Sequence, residues 1–378
     1  MTGGIDKANT DYEPSVPITP PPIYAWPPRP LAAVRWFVGR LLYPWVGTYL
    51  ILSLIIWKWL LPPEEQMATL QANWILQIWA RNLAVLTLVV GGLHWTLYAR
   101  RRQGDSYKFN RRWPVKGRKY LFGDQVKDNA FWTLTSGGFF LTAYEALTHW
   151  AYASGLVDRP DWVSNPAYIF VMATLGVVLW STIHFWVNHR LLHWEPLYRA
   201  AHHLHHRNIN PGPWSGISMH PVEHLIYFSL FLLWWVVPVH PVVILMCGFY
   251  QGPGPAPSHS GFERVKIIGR WEIPAGDYFH QLHHRYFEVN YGNTQAPIDR
   301  AAGTWHDGTL EAHARLTGRR RAAQIACPPS PVGAGAAACA TLKAWITRPL
   351  MAQSSDAPPA SPHPGGPSRS CRPPARPT

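Results

Sequence analysis

The chain has 378 residues, a net charge of +13 and a mean hydropathy of −0.10, an average that conceals apolar stretches between Pro-rich polar ends. The charge does not indicate nucleic-acid binding, because much of the excess lies in a terminal tail and no recognition motif accompanies it. The four cysteines have no CxxC spacing, which argues against a thiolate metal site or a disulfide framework.

The N-terminal part predicts a disordered arm followed by two membrane spans. Residues 1–30 hold eight prolines and few apolar side chains. Apolar runs from about Leu41 to Leu61 and from about Trp74 to Tyr98 are close to the roughly 20 residues that a spanning helix needs. The segment from Arg100 to Lys119 then carries nine Lys or Arg against one Asp, so we expect it to be cytoplasmic.

The central part predicts further membrane segments. A less regular one covers about Phe131 to Tyr152, and a clearly apolar one runs from Tyr168 to Trp186. The region from His224 to Tyr250 is divided by Pro238 and Pro241, which favours a helical hairpin over one straight helix. The predicted fold is an all-α integral membrane protein with about four transmembrane helices plus a helical hairpin. This topology places the histidine motifs on the cytoplasmic side, as a His-rich di-metal cap.

Histidines are concentrated in one region, since 14 of the 19 lie between His184 and His284. They form three motifs in which spacings of three and four residues put imidazoles on one face of a helix. The motif histidines are His189 and His193; then His202, His205 and His206; and then His280, His283 and His284. His203 points away from the face that its neighbours share.

Eight motif histidines exceed the three or four protein ligands of a single zinc, so the pattern predicts two metals. His220 and His224 form another pair at a spacing of four, and His259 lies in Ser-His-Ser-Gly. These three could complete the coordination. Imidazole binds Fe, Zn, Cu and Ni alike, so the ligand type alone does not choose the metal.

Three polar residues adjoin the motifs and have two interpretations. Glu223, Asp277 and Asn290 could accept the second N–H of a bound imidazole and so fix its tautomer, or they could be ordinary caps. Glu145 would lie within a membrane segment, where ionisable groups are costly and often functional, but no role is assigned to it.

The motifs HRLLH, HHLHH, HPVEH, SHSGF and YFHQLHHRYFEVNYG, in this order, resemble the fatty acid hydroxylase/sterol desaturase superfamily. The segment NPGPWSGISMHPVEHLIYF looks especially like its bacterial sterol-desaturase-type branch. The resemblance covers about residues 130–318. It implies that two iron ions are held by the eight motif histidines, with His220, His224 and His259 matching the additional histidines of the family.

The resemblance also implies an O₂-dependent enzyme that hydroxylates or desaturates a sterol or fatty-acyl lipid. Electrons would come from a separate donor, either cytochrome b5-like or a ferredoxin with its reductase. The expected location is a bacterial inner membrane, with the active site on the cytoplasmic side. The expected domains are an arm (1–30), spanning helices and basic loop (31–128), a catalytic domain (129–318) and a disordered low-complexity tail (319–378).

Two other functions remain open on the residues alone. A zinc-dependent membrane hydrolase would need fewer histidines and usually an HExxH helix. A His-rich metal transporter or metal-binding protein would place its ligands within the spans rather than on one side of them.

Overall fold

The structure of the protein is a computed structural model that describes residue 12 and residues 14–326. The predicted tail from residue 327 onward lies outside the described residues, as do residues 1–11 and 13 of the predicted arm. Residues 319–326, assigned to the tail from sequence, continue a helix instead.

Helices form most of the described chain. The main ones are α1 (Pro30–Trp59), α2 (Ala72–Ala99), α3 (125–153), α4 (Pro166–Leu192), α5 (195–206), α6 (Pro221–Phe228), α7 (Pro241–Gln251), α8 (Tyr278–Tyr286) and α9 (Leu310–Ala326). Short helical turns occur at Pro22–Tyr24, Glu64–Met67, Leu121–Gly123, Asp161–Ser164, Pro213–Ser215, Ser229–Trp235, Pro255–Ser258 and Ile298–Ala301.

Within the described residues, three helices are long and apolar enough to cross a membrane, namely α1, α2 and α4. Helices of this length and hydropathy identify a membrane protein. α1 begins earlier than predicted and is interrupted at Tyr43, which leaves the helical conformation (φ −87°, ψ 134°) immediately before Pro44. The predicted count of about four spanning helices is not confirmed.

The predicted third span lies within α3, a continuous helix that is not among the three. Polar residues lower its mean hydropathy, and Glu145 and His149 are both buried against other helices. α3 packs along α2 and α7, so its polar face is turned toward protein.

The break predicted at Pro238 and Pro241 is present, because a short helical turn (Ser229–Trp235) and non-helical residues before Pro241 separate α6 from α7. Residues Val242 to Cys247 of α7 are completely buried, because α1, α3 and α4 surround this helix. Side chains of α7 therefore form the centre of the main hydrophobic core.

The described chain is mostly helical, and it contains one short β-hairpin that the sequence analysis did not predict. Strands β1 (Arg264–Lys266) and β2 (Glu272–Pro274) pair as an antiparallel hairpin. The sequence signal is the run VKIIGRWEI, in which β-branched and aromatic residues flank a glycine. Gly269 adopts a positive φ of 60° in the turn.

The described part of the Pro-rich arm lies against α8 and α9, which together with α5 are called the cap below, a contact that its composition did not predict. The Ile18 N–H donates to the Asp307 carbonyl oxygen (2.8 Å), and the Tyr24 hydroxyl donates to that of Gln295 (3.0 Å). Val16 and Ile18 pack against an apolar cluster that includes Leu282 of α8. The division of the chain into domains stays a prediction.

Candidate metal centre

The third histidine motif lies on α8, a short helix buried on nearly every side. Asp277 begins the helix, since its carboxylate accepts the N–H of Phe279 (2.9 Å). The spacing then places His280, His283 and His284 on one face, as predicted from the sequence.

The first two motifs lie where α4 ends and in α5. His189 is in the last turn of α4, and His193 is the residue that ends this helix. α5 follows directly, so the chain turns back and brings His202, His205 and His206 beside them.

Nine histidines converge in two groups, in each of which the possible ligand nitrogens lie within 4.8 Å of one another. Group I consists of His189, His193, His202, His206 and His283, and group II consists of His205, His259, His280 and His284. The groups are adjacent, since the rings of His206 and His284 are 5.1 Å apart between centroids. All nine are buried except His193, which is partly exposed.

The hydrogen bonds of group I show that its nitrogens fit a cation. His283 Nδ1 lies 2.7 Å from the Val289 carbonyl oxygen, which only accepts, so Nδ1 carries the proton and Nε2 presents a lone pair. The Nε2 atoms of His193, His206 and His283 are 3.1–3.2 Å from one another. At least one of these contacts has no proton between its atoms, and a shared metal would satisfy all three.

Group II repeats this arrangement. His259 Nδ1 donates to the Pro255 carbonyl oxygen (2.9 Å), which leaves its Nε2 as an acceptor. The Nε2 atoms of His259, His280 and His284 are 3.0–3.3 Å apart. Nitrogens that are about 2.0–2.1 Å from one metal lie roughly 3 Å apart when they are adjacent ligands, so these spacings fit a coordination sphere.

Further buried nitrogens have no hydrogen-bond partner among the described residues, including Nε2 of His189 and of His202 and Nδ1 of His205. Such orphaned groups are costly in a protein interior unless something binds them. Their position beside the converging nitrogens is the second reason why these residues fit two metal ions.

Burial also keeps the imidazoles neutral, which is the form that binds metal. Loss of hydration is the main cause that lowers the pKa of His205 to about 3 and that of His259 to about 4. Neighbouring imidazoles add to the effect, and the pKa values of His280 and His284 are likewise far below their ordinary value.

One predicted orienting contact is present. His202 Nδ1 lies 2.8 Å from the Glu223 carboxylate. This contact orients the imidazole so that its Nε2 faces the other histidines of group I. Asp277 instead caps α8. Asn290 holds the backbone, because its amide donates to the carbonyl oxygens of Phe279 and His306 (both 3.0 Å).

Two predicted candidates lie outside both groups. His220 caps α6, where its Nδ1 accepts the Val222 N–H (3.2 Å). His224 is buried, and its two nitrogens contact Ser136 Oγ (2.9 Å) and the Ile217 carbonyl oxygen (3.0 Å). His220 precedes α6 with an extended backbone (φ −68°, ψ 149°), so the two imidazoles do not share a helix face, and His224 is turned toward α3. The ligand set proposed below therefore has nine histidines rather than eleven.

The sequence analysis did not identify Asp299, which supports a histidine of the metal centre through the backbone. Its carboxylate accepts the backbone N–H groups of Tyr291 (2.9 Å) and Gly292 (2.8 Å). The Tyr291 carbonyl oxygen in turn lies 2.6 Å from His189 Nδ1. A single Asp in the segment APIDRA carries no local signal for this role.

Replacing Asp299 by Asn is expected to weaken metal retention roughly 10–100-fold, the usual effect of removing an outer partner of a ligand. The amide cannot accept both backbone N–H groups, so the loop that orients His189 loosens. Competition with a chelator measures the effect. The matched control is Asp307→Asn, whose carboxylate caps Thr309 (3.0 Å) and contacts no histidine of either group; equal loss in both variants would contradict the assigned role.

A cavity of about 550 Å³ reaches the metal centre from α1. It is lined by three group II histidines, His205, His259 and His280. Aromatic side chains of α1, including Trp36 and Trp45, and residues 17–22 of the arm also line it. The volume is typical of a small-molecule site, and the lining is mixed, with polar groups beside the apolar side chains.

The comparisons with known proteins agree with this geometry. The profile of the fatty acid hydroxylase family matches residues 173–304, the region that holds all nine grouped histidines. A Delta(7)-sterol 5(6)-desaturase from Saccharomyces cerevisiae is 29% identical over 40% of this chain and 41% of its own length. No solved structure matches the chain significantly.

Two methylsterol monooxygenases are also similar. One from Aspergillus fumigatus is 31% identical over 39% of this chain and 50% of its own length. One from Gallus gallus is 29% identical over 38% and 50%, respectively. The chain therefore spans about half the length or less of these relatives.

The fold and the site define a class, which is a helical membrane protein with a buried, histidine-only cluster at one end of its spanning helices. The family match gives the assignment within that class. Residues 173–304, about a third of the chain, match the fatty acid hydroxylase family, and the similar proteins support the fatty acid hydroxylase/sterol desaturase superfamily. The chain's placement in a bacterial branch stays a prediction.

Proposed function

We propose that the protein is a membrane-bound di-iron oxidase that uses O₂ to hydroxylate or desaturate a lipid. The observation that carries the proposal is the cavity, which joins the group II histidines to α1, a candidate membrane span. A lipid in the bilayer would thus reach the metal centre without crossing water.

Groups I and II would each hold one iron ion, with five and four histidines available, respectively. The family assignment supports iron, since imidazole itself is compatible with several metals. Bound iron supplies the activation of O₂ that removal of hydrogen from an unactivated C–H bond requires.

The chain's own residues hold and orient the reactants. Glu223 and the carbonyl oxygens of Val289 and Tyr291 fix the imidazoles of His202, His283 and His189. Phe185, Met219 and Tyr227 line the cavity beside the histidines and would exclude water from the substrate.

The names of the relatives support a sterol-type substrate over a simple acyl chain. A separate protein, cytochrome b5-like or a ferredoxin with its reductase, would deliver the electrons. The basic segment after α2 supports a cytoplasmic position for the histidine cap, in a bacterial inner membrane.

The test is metal and product analysis of anaerobically purified protein. We expect two irons per chain, and an oxidised lipid that forms only when O₂ and a reductant are supplied. Comparing the lipids of cells with and without the chain identifies the substrate and separates an alcohol from an alkene. One zinc per chain with no O₂ consumption would instead establish a hydrolase, and metal flux across vesicles would establish a transporter.

A further inference from the structure

The hairpin formed by β1 and β2 exposes large apolar side chains at its tip. Ile268 is 76% exposed and Trp271 is 77% exposed, with Ile267 beside them at 42%. Neighbouring Val265 is buried in a cluster with Leu97 and Tyr98 of α2, so one end of the hairpin is packed and the other end exposes apolar side chains. A contiguous exposed group of this kind usually marks a contact surface.

The turn holds these side chains outward. The Ile267 N–H donates to the Trp271 carbonyl oxygen (2.8 Å), and the Trp271 N–H donates to that of Ile268 (3.0 Å). Gly269 provides the left-handed residue that closes the turn. The apolar tip is thus a fixed projection of the hairpin.

The base of the hairpin is attached to two candidate spanning helices. The Trp45 indole N–H of α1 donates to the Pro274 carbonyl oxygen (2.8 Å). Just after α2, the Gln103 side chain donates to the Arg264 carbonyl oxygen and accepts the Lys266 N–H (both 2.9 Å).

These attachments place the base of the hairpin near the membrane boundary. Trp45 precedes the end of α1 at Trp59 by 14 residues, or about 21 Å of helix. The hydrocarbon core of a bilayer is about 30 Å thick, so if Trp59 lies at the far boundary, Trp45 lies about 9 Å inside the near boundary. Trp95, 57% exposed near the end of α2, is a further residue of the kind found at membrane boundaries.

Exposed cations lie beside the apolar tip, together with one acid, Glu272, which stands opposite Lys266 on the paired strand. Lys266 and Arg270 flank Ile268, and Arg100, Arg101 and Arg102 are exposed where α2 ends. Apolar side chains ringed by Lys and Arg are the pattern by which proteins bind the headgroup region of an anionic leaflet.

We propose that this hairpin is an interfacial anchor, inserting Ile268 and Trp271 into the leaflet on the cap side while Lys266 and Arg270 contact anionic headgroups. The anchor would hold the cap against the membrane beside α1, whose side chains line the cavity. It is independent of which metal the centre holds.

The test uses the full chain in nanodiscs, where both membrane faces are open to water. Cys247, Cys327, Cys339 and Cys371 are first replaced by Ser, and a bimane label is attached at Ile268→Cys. The control is Ala314→Cys, an exposed position on α9 of the cap. We expect acyl-chain nitroxide lipids to quench the label at 268, and iodide to quench it at least about tenfold less efficiently than at 314.

Two further measurements complete the test. Trp271→Cys probes the same tip if the first variant does not fold, and the same protection is expected. Protection should be greater in discs that contain phosphatidylserine than in pure phosphatidylcholine, and equal protection would overturn the role of the cations. Equal iodide quenching at 268, 271 and 314 would overturn the anchor and mark the hairpin as a surface for a protein partner.

Discussion

Replacing His283 by Ala is expected to lower activity by more than the roughly 10–100-fold that loss of an outer ligand partner causes. His283 Nε2 contacts both His193 Nε2 and His206 Nε2, so its removal takes a nitrogen from the middle of group I. We also expect the metal content to fall from two ions per chain toward one, because group II does not include this residue.

His220→Ala is the matched control for this prediction. His220 also lies in a histidine motif, but the structure places it outside both groups, as the cap of α6. Its loss should cost about 0.5–2 kcal/mol of stability and leave both metals bound. Metal analysis and O₂ consumption of the two variants are compared at equal amounts of inserted protein. Full activity in His283→Ala, or loss of metal in His220→Ala alone, would contradict the nine-histidine set.

The motif histidines were predictable because their signal is local. Spacings of three and four residues define one helix face, and α8 and α5 realise that face directly. The same reasoning misplaced His220 and His224, since spacing does not show whether one helix includes both residues or what that helix contacts. The partner of a face depends on packing across the fold, which is a non-local property.

The backbone supports of the metal centre show the same limit. His189, His283 and His259 each donate a proton to a main-chain carbonyl oxygen, and any residue type can provide one. The amino-acid sequence therefore does not indicate which carbonyl oxygens make these contacts. Asp299 acts through two backbone N–H groups. Its role could not be predicted from a motif for this reason.

The sequence predicted the candidate spans correctly where a long apolar run alone defines the helix, as in α2 and α4. α3 was harder to predict, because a helix can bury polar residues when other helices provide partners. The buried pair of Arg81 on α2 and Glu145 on α3 is the main example. Each residue alone argues against a buried helix, whereas the pair explains why both helices tolerate a charge.

Replacing Arg81 by Leu, or Glu145 by Leu, is expected to destabilise the protein by about 3–5 kcal/mol, because each leaves an uncompensated buried charge. Arg81 Nη2 is paired with Glu145 Oε1, and the other carboxylate oxygen accepts from Asn82 Nδ2 (2.9 Å). The double replacement should recover most of the loss. The control is Glu195→Gln, since the Arg199–Glu195 pair is largely exposed and worth at most about 1 kcal/mol.

Cys247 provides the measurement, because it is completely buried in α7, against which α3 packs. With Cys327, Cys339 and Cys371 replaced by Ser, a thiol-reactive dye reports opening of the helix bundle during heating. A double variant that is stable and active identifies Glu145 as a structural charge that balances Arg81. A double variant that is stable but inactive would show that the pair also serves the reaction, although it lies outside both histidine groups. Single variants as stable as the parent would contradict the buried ion pair itself.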